Sequence, residues 1–397
     1  MAVSLAAGPF VAEASEPYKL GVALGFTGTG AAYSQEGLRG IEIAVDEINA
    51  KGGLLGRHPI ELVTANTRTR PDVAKTVVRS MIERDRVRAV IGTYSSASAL
   101  AIKPILREAK VLHIATISNA EEITLNDPSP YTFSVVPNTY MMSKATVLAA
   151  AKLVAKNNWK KFATITSNYE WGRSNQKIQV ELMARLAPEV KHVGAFWPPL
   201  GETTFNAFIA AIRKAKPDFV LTAIAGTDNA YWLRDVRDYR FDEDIALVGG
   251  LFSVVELQRE GNYIKRGTYG RTRAPFFAHL DVPMMASFVE TYRKRHGQYP
   301  SDWAVLSYDG VMALKQGVDK AGTIDSERVK DALKGLEVET ARGRLRFRDI
   351  DNQLNAPAYV GRVADDPRYR FPIYADLIVS PGHEIWRPEE EIRNARK

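Results

Sequence analysis

Ser95 and Ser96 follow the apolar run Val90-Ile91-Gly92-Thr93-Tyr94, and Thr116, Ile117, Ser118 and Asn119 follow a second run, Val111 to Ala115. One helix-length segment separates the two clusters. In an open α/β sheet both strand ends then point to the same edge, where ligands bind. The intervening helix is expected to start near Ala97 with Ser95 or Ser96 as its cap. Its free N–H groups and positive dipole end suit a carboxylate or phosphate. Capping alone would also account for the serines; two polar clusters on one edge make the stretch a candidate site. Ser167-Asn168-Tyr169-Glu170-Trp171-Gly172, after the run Phe162 to Thr166, repeats the plan further along. Tyr169 and Trp171 either face a ligand or pack beneath the helix. Ala225-Gly226-Thr227 and Gly249-Gly250-Leu251-Phe252 end further strands on that edge, where small residues leave room for close approach.

Covalent and redox chemistry find little support. Gly25-Phe26-Thr27-Gly28-Thr29-Gly30 is G-x-x-G-x-G rather than G-x-G-x-x-G, and no acid ends the second strand to hold a ribose. Tyr140 and Lys144 have the Tyr-x-x-x-Lys spacing of short-chain dehydrogenases without that family's glycine pattern. G-x-S-x-G, H-E-x-x-H and Walker loops are absent. The 6 histidines are isolated and there is no cysteine, so no metal site, thiol chemistry or disulfide is expected, and no cofactor.

The elements that must position these residues alternate from Tyr18 onward. An apolar strand (19–26) leads through a glycine-rich turn to a helix (34–51) with apolar residues at Leu38, Ile41, Ala44, Val45 and Ile48, stopped at Gly52-Gly53. Strands at 60–65, 87–91, 111–115 and 131–136 follow, with a helix opened by Pro71. The pattern restarts after Pro137-Asn138 with helices at 141–156, 172–186, 204–214 and 228–239 and strands at 162–166, 193–197, 218–223 and 246–249. Strands separated by helices mean βαβ units and parallel sheets, here two doubly wound units. The last third changes to helices (283–296, 303–321, 326–333), then strand-like segments (345–347, 358–363, 373–379).

The 397 residues exceed one ordinary core. Apolar content of 45% and charged content of 25% are those of a soluble globular chain, and no apolar run reaches the length of a spanning helix. Net charge is +7, but the basic residues are scattered. Their densest cluster, Arg342, Arg344, Arg346 and Arg348, reads as one solvated strand face, and no nucleic-acid partner is expected. The start, Val3 to Ala14, is apolar and ends in Ala-x-Ala, like the back half of a secretory signal peptide without its basic region.

Together, Gly21-Val22-Ala23-Leu24-Gly25-Phe26-Thr27-Gly28, the segment from Gly37 through Asn49-Ala50-Lys51-Gly52-Gly53 to Gly56, Ile91-Gly92 with its serines, Ser167 with Trp171-Gly172, and Tyr308-Asp309-Gly310 resemble the branched-chain amino-acid type of periplasmic solute-binding protein. The resemblance runs in order from Tyr18 to about Trp386. It implies two α/β lobes joined by three crossings, closing on a small ligand and delivering it to an ABC permease. The implied division is a signal-peptide remnant (1–17), a first lobe (18–137 plus about 274–343), a second lobe (138–273 plus about 344–386) and a polar tail (387–397). In that family Ser96 and the group Thr116, Ile117, Ser118 and Asn119 would hold a ligand carboxylate, with Tyr33 and Trp171 walling the pocket. Where amino-acid binders place an acid for the ammonium this chain has Leu251, followed by Phe252; where a tyrosine is expected it has Ala225. Both departures point away from an α-amino acid and towards an aromatic or other apolar acid, unless Asp228 or Glu256 substitutes. The expectation is a monomeric, exported, non-enzymatic solute-binding protein. The alternatives are an amino-acid or amide binder, a ligand sensor of the same fold, and an NAD-dependent oxidoreductase.

Overall fold

Five short apolar strands build the first sheet: β1 (Tyr18–Leu24), β2 (Ile60–Asn66), β3 (Ala89–Gly92), β4 (Leu112–Ala115) and β5 (Thr132–Ser134), in the order β2-β1-β3-β4-β5, all parallel. β3, β4 and β5 are buried along their whole length, as a sheet covered by helices on both faces requires. These positions come from a computed structural model that describes residues 16–397 apart from Ala225. The signal-peptide-like start and Ala225 lie outside the described residues.

The second sheet begins with β6 (Lys161–Thr166), β7 (Lys191–Phe196), β8 (Phe219–Ala223), β9 (Ala246–Leu251) and β10 (Tyr269–Thr272). A hairpin of β11 (Glu337–Thr340) and β12 (Gly343–Arg346) stands apart. β13 (Ala358–Ala364) and β14 (Ile373–Ser380) then complete the second sheet antiparallel, in the order β14-β13-β10-β9-β8-β6-β7. The strand expected at 345–347 therefore belongs to the hairpin and not to this sheet. Among the described residues the chain passes between the sheets three times: after β5, after β10, and between β12 and β13. The helix Asp302–Ala321 returns from the second crossing to cover the first sheet, against the helix Ala31–Asn49. At their closest point a Cβ on Gly40 would stand 2.1 Å from the Ala304 carbonyl oxygen, so only glycine permits this approach.

Two expectations about the C-terminal part are corrected. The arginines of the 342–348 run do not share one solvated face. Arg344 and Arg346 are exposed, whereas Arg342 and Arg348 are buried. β12 is too short to carry the alternation: Arg342 precedes it and Arg348 follows it, and each turns inward to an aspartate. Nor is 387–397 a free polar tail. Glu389–Ala395 is helical, Ile392 is buried, Arg387 bonds Glu121 at 2.7 Å and Arg396 donates to the Leu125 carbonyl at 2.8 Å.

Arg342 and Asp309 meet at 2.8 Å with both side chains wholly excluded from solvent. Asp309 also accepts the Ala341 N–H at 2.7 Å, and Arg342 donates to the Val135 carbonyl at 3.0 Å. The pair thus ties the helix Asp302–Ala321 to the first crossing. Arg342→Met leaves a buried charge unpaired and should cost about 3–5 kcal/mol, whereas Arg342→Met with Asp309→Leu should recover most of that loss. Equilibrium urea unfolding of the two single variants and the double variant checks this. Additive losses would show that the pair is not coupled.

Candidate functional site

The turn after β3 is fixed by local hydrogen bonding. The helix Ser96–Glu108 starts where expected, and its cap is Ser95, whose hydroxyl accepts the Ser98 N–H at 3.4 Å. Ser96 does something else. Its hydroxyl accepts the N–H groups of Asn119 and Ala120, at 3.3 and 3.1 Å, and so clamps the loop after β4 to the helix start. Asn119 in turn donates to the Pro137 carbonyl at 3.1 Å, fixing that loop to the first crossing.

In the second lobe Trp171 sits in the first turn of the helix Glu170–Leu186, with Tyr169 just before it. The following glycine is a packing requirement, since a Cβ on Gly172 would stand 1.8 Å from the Ser167 carbonyl. β9 delivers Leu251, and Arg273 follows β10 at the second crossing. Asp302, first residue of its helix, accepts the N–H groups of Arg273 at 2.9 Å, Ala274 at 2.7 Å and Val254 at 2.9 Å, as well as the Thr272 hydroxyl. It thereby sets the backbone from which the Arg273 side chain projects.

These elements converge on one cavity between the lobes, lined by Tyr33, Tyr94, Ser96, Ile117 and Asn119 from one side, Tyr169, Trp171 and Leu251 from the other, and Arg273 and Trp303 at the crossing. It measures about 20 Å³, room for one water molecule. Its walls are aromatic: Tyr33 stacks on Trp303 at 4.7 Å between ring centroids and meets Tyr94 edge-on at 5.8 Å, and Tyr169 lies 5.9 Å from Trp171.

Arg273 is the charge in this cavity. It is 1% exposed, its guanidinium lies 4.8 Å over the Trp303 ring, and its Nε and Nη1 make no hydrogen bond. Burial holds its pKa below the ordinary guanidinium range, opposed by the nearby Asp302, Tyr33 and Glu256. Glu256 is fully buried and accepts the hydroxyls of both Tyr33 and Ser253; burial pushes its carboxyl up to about 7. The Tyr33 hydroxyl also accepts the Gly226 N–H at 3.2 Å, so this side chain bridges the lobes. Burial, with Glu256 beside it, raises the Tyr33 pKa well above the phenolic value.

Of the residues singled out in sequence, Tyr33, Ser96, Ile117, Asn119, Tyr169, Trp171 and Leu251 share this cavity. The others among the described residues do not line it. Ser95 is a cap, Thr116 accepts the Ser307 hydroxyl at 3.2 Å behind the loop, and Ser118 is buried with its hydroxyl unbonded. Phe252 is a core residue: it packs in the hydrophobic cluster of the second sheet, and its carbonyl accepts the Tyr374 hydroxyl at 2.6 Å. Asp228 is occupied by the Gly201 N–H at 2.8 Å, and burial pushes it up to about 6. Tyr140 lies 4.1 Å beneath the Arg387 guanidinium, remote from the cavity, so no Tyr–Lys redox pair forms there. Sequence reasoning missed Arg273, Tyr94 and Trp303. Nothing in the sequence signals Arg273: the strand before it reads Tyr-Gly-Arg-Thr, without an apolar run, and is not among the expected strands.

Comparison with known proteins gives the same architecture. The model of the periplasmic binding protein family matches residues 17–367. A Leu/Ile/Val-binding protein homolog 7 from Brucella abortus (strain 2308) is 24% identical over 363 residues, covering 88% of this chain and 90% of its own. A periplasmic binding protein of known structure from Burkholderia mallei aligns with a TM-score of 0.84 at 21% identity, over 94% of this chain and 97% of that one. A solute-binding protein of an ABC transporter from Rhodopseudomonas palustris BisB5, in complex with 3,4-dihydroxybenzoic acid, aligns with a TM-score of 0.81 at 22% identity, over 94% and 99%. With both lobes and the cleft between them accounted for, the chain belongs to the periplasmic binding protein family, whose members are extracytoplasmic solute-binding proteins of ABC transporters and not enzymes.

Proposed function

We propose that this chain captures a small carboxylate with an aromatic or otherwise apolar body and hands it to the permease of an ABC importer. It acts as an exported monomer, with a first lobe of 18–137 plus about 274–357 and a second of 138–273 plus about 358–386, the boundary expected near 343 moving past β12 and the Ser134–Gln353 bridge. The observation that carries this reading is Arg273, a buried guanidinium with unbonded nitrogens in an aromatic-walled cavity. A bond between a carboxylate and such a group is worth about 1.5–3 kcal/mol. A ring laid among Tyr33, Trp171 and Trp303 gains about 25 cal/mol per Å² of apolar area buried, and ~0.5–1.5 kcal/mol more from ring geometry. Ser96 and Asn119 offer further polar contact on the opposite wall. The cavity is too small for a ring as it stands, so the solute enters with the lobes apart. Closure then adds contacts from both sides, which shifts the open–closed equilibrium.

An amino acid is the second reading, favoured by the Leu/Ile/Val-binding relative. Its ammonium would need an acid facing the cavity. Glu256 spends its oxygens on Tyr33 and Ser253, Asp228 lies outside the lining, and the cavity charge is positive. The aromatic acid bound by the Rhodopseudomonas palustris protein agrees with the first reading.

Two experiments follow. Arg273→Met should weaken benzoate binding by about 10- to 100-fold. It should leave the unliganded melting temperature unchanged or higher, because it removes an unpaired buried charge. Calorimetry and thermal melts measure both, and undiminished benzoate affinity would remove Arg273 from the site. The second concerns Glu256. Its folded pKa of about 7 lies above the ordinary 4.5, so as pH rises the unfolded chain releases this proton first. Stability is therefore lost between those two values and levels off above the upper one. Across that window the wild type should lose roughly 3 kcal/mol more than Glu256→Gln. Parallel pH profiles for the two proteins would contradict this.

A further inference from the structure

Arg271 lies on β10, two residues before Arg273, which stands just past the end of the strand. It is 0% exposed, and its Nε and Nη1 make no hydrogen bond. Its one recorded partner is neutral: Nη2 donates to the Asn175 side-chain oxygen at 3.1 Å. Asn175 in turn donates to the backbone carbonyl of Trp171, a cavity residue, at 2.8 Å. Arg271 is thus one step behind the cavity wall, joined to it through Asn175.

Two guanidiniums therefore lie in the interior within electrostatic reach of each other, with no salt bridge to either among the described residues, and together they leave four nitrogens unbonded. The nearby acids do not satisfy them. Glu256 is bonded to Tyr33 and Ser253, and Asp302 to Thr272 and the backbone of Val254, Arg273 and Ala274. One carboxylate balances the charge of one guanidinium; the second positive charge is then still buried and unmatched, which is unfavourable.

We infer that the natural ligand carries a second anionic group and that Arg271 receives it, so that the cargo is a rigid aromatic dicarboxylate with its acid groups at opposite ends. This rests on the carboxylate reading of the Arg273 cavity. The spacing selects the isomer. Residues two apart along a strand are separated by roughly 6.6 Å, which suits carboxylates placed para across a benzene ring and not adjacent ones. A ligand held by Arg273 and lying along β10 beside Trp171 extends towards Arg271.

Calorimetry on the full chain with benzoate, terephthalate, phthalate, 4-hydroxybenzoate and leucine tests the inference, first on the wild type. Terephthalate should bind about 10- to 100-fold tighter than benzoate, and tighter than phthalate or 4-hydroxybenzoate. Arg271→Met should abolish the terephthalate advantage while keeping benzoate affinity within about threefold; Arg271→Lys, which keeps the charge, should retain part of it. Equal affinity for benzoate and terephthalate in the wild type, or an undiminished terephthalate advantage in Arg271→Met, would overturn the second site and leave the carboxylate reading standing. Leucine binding with no response to any of the acids would overturn both. Because the wild-type comparison needs no variant, a poorly folded Arg271→Met does not decide the outcome.

Discussion

A guanidinium withdrawn from water without a carboxylate hydrogen-bonded to it is held at a cost that the surrounding structure must meet. In this cleft the cost falls on Asp302, which secures the backbone on both sides of Arg273, and on Trp303, whose ring supports the cation from below. Asp302 can do this because it opens the long helix that packs on the first sheet, where Gly40 admits it at backbone distance. The position of one side chain in the cavity thus depends on the packing of two helices at the Gly40–Ala304 approach, next to Trp303. A solute with a carboxylate removes the penalty, which is how a site can be both unfavourable alone and selective for anions.

The second feature of the cleft is that the lobes bond to each other as well as to a solute. Tyr33 reaches across to Glu256 and receives the Gly226 N–H, and the Thr227 N–H meets the Thr29 carbonyl at 3.4 Å. Gly226 has φ +64°, and a Cβ there would stand 2.3 Å from that same carbonyl, so the approach is open to glycine alone. These contacts form only when the lobes are together. They lower the free energy the solute must supply to keep the cleft closed.

The fold was legible because apolar runs, glycine stops and helix caps agree with one another along the chain. A serine cap at 95 or 96, the restart after Pro137 and the parallel pairing of the strands all follow from local pattern. The cavity lining was legible where residues sit in the short turn or first helical turn after a strand, as Ser96, Asn119 and Trp171 do, or at its end, as Leu251 does. It failed where position depends on a distant partner. Phe252 reads as a wall beside Leu251, yet successive residues point to opposite sides and it enters the core. Trp303 reads as an ordinary helix residue until Tyr33 and Arg273 are seen on either side of it. Arg342 and Arg348 read as solvated because their acids, Asp309 and Asp351, could not be assigned to them from spacing alone. Arg273 follows a strand, Tyr-Gly-Arg-Thr, that has no apolar pattern to reveal it, and a single arginine carries no signal of burial.

The central claim is that Arg273 receives a carboxylate whose apolar body lies among Tyr33, Trp171 and Trp303. A crystal structure of the chain with benzoate tests it most directly. A carboxylate oxygen is expected within hydrogen-bonding distance of the Arg273 guanidinium, with the ring against the aromatic walls. A carboxylate held only by Ser96 and Asn119, with the Arg273 nitrogens still unbonded, would contradict it.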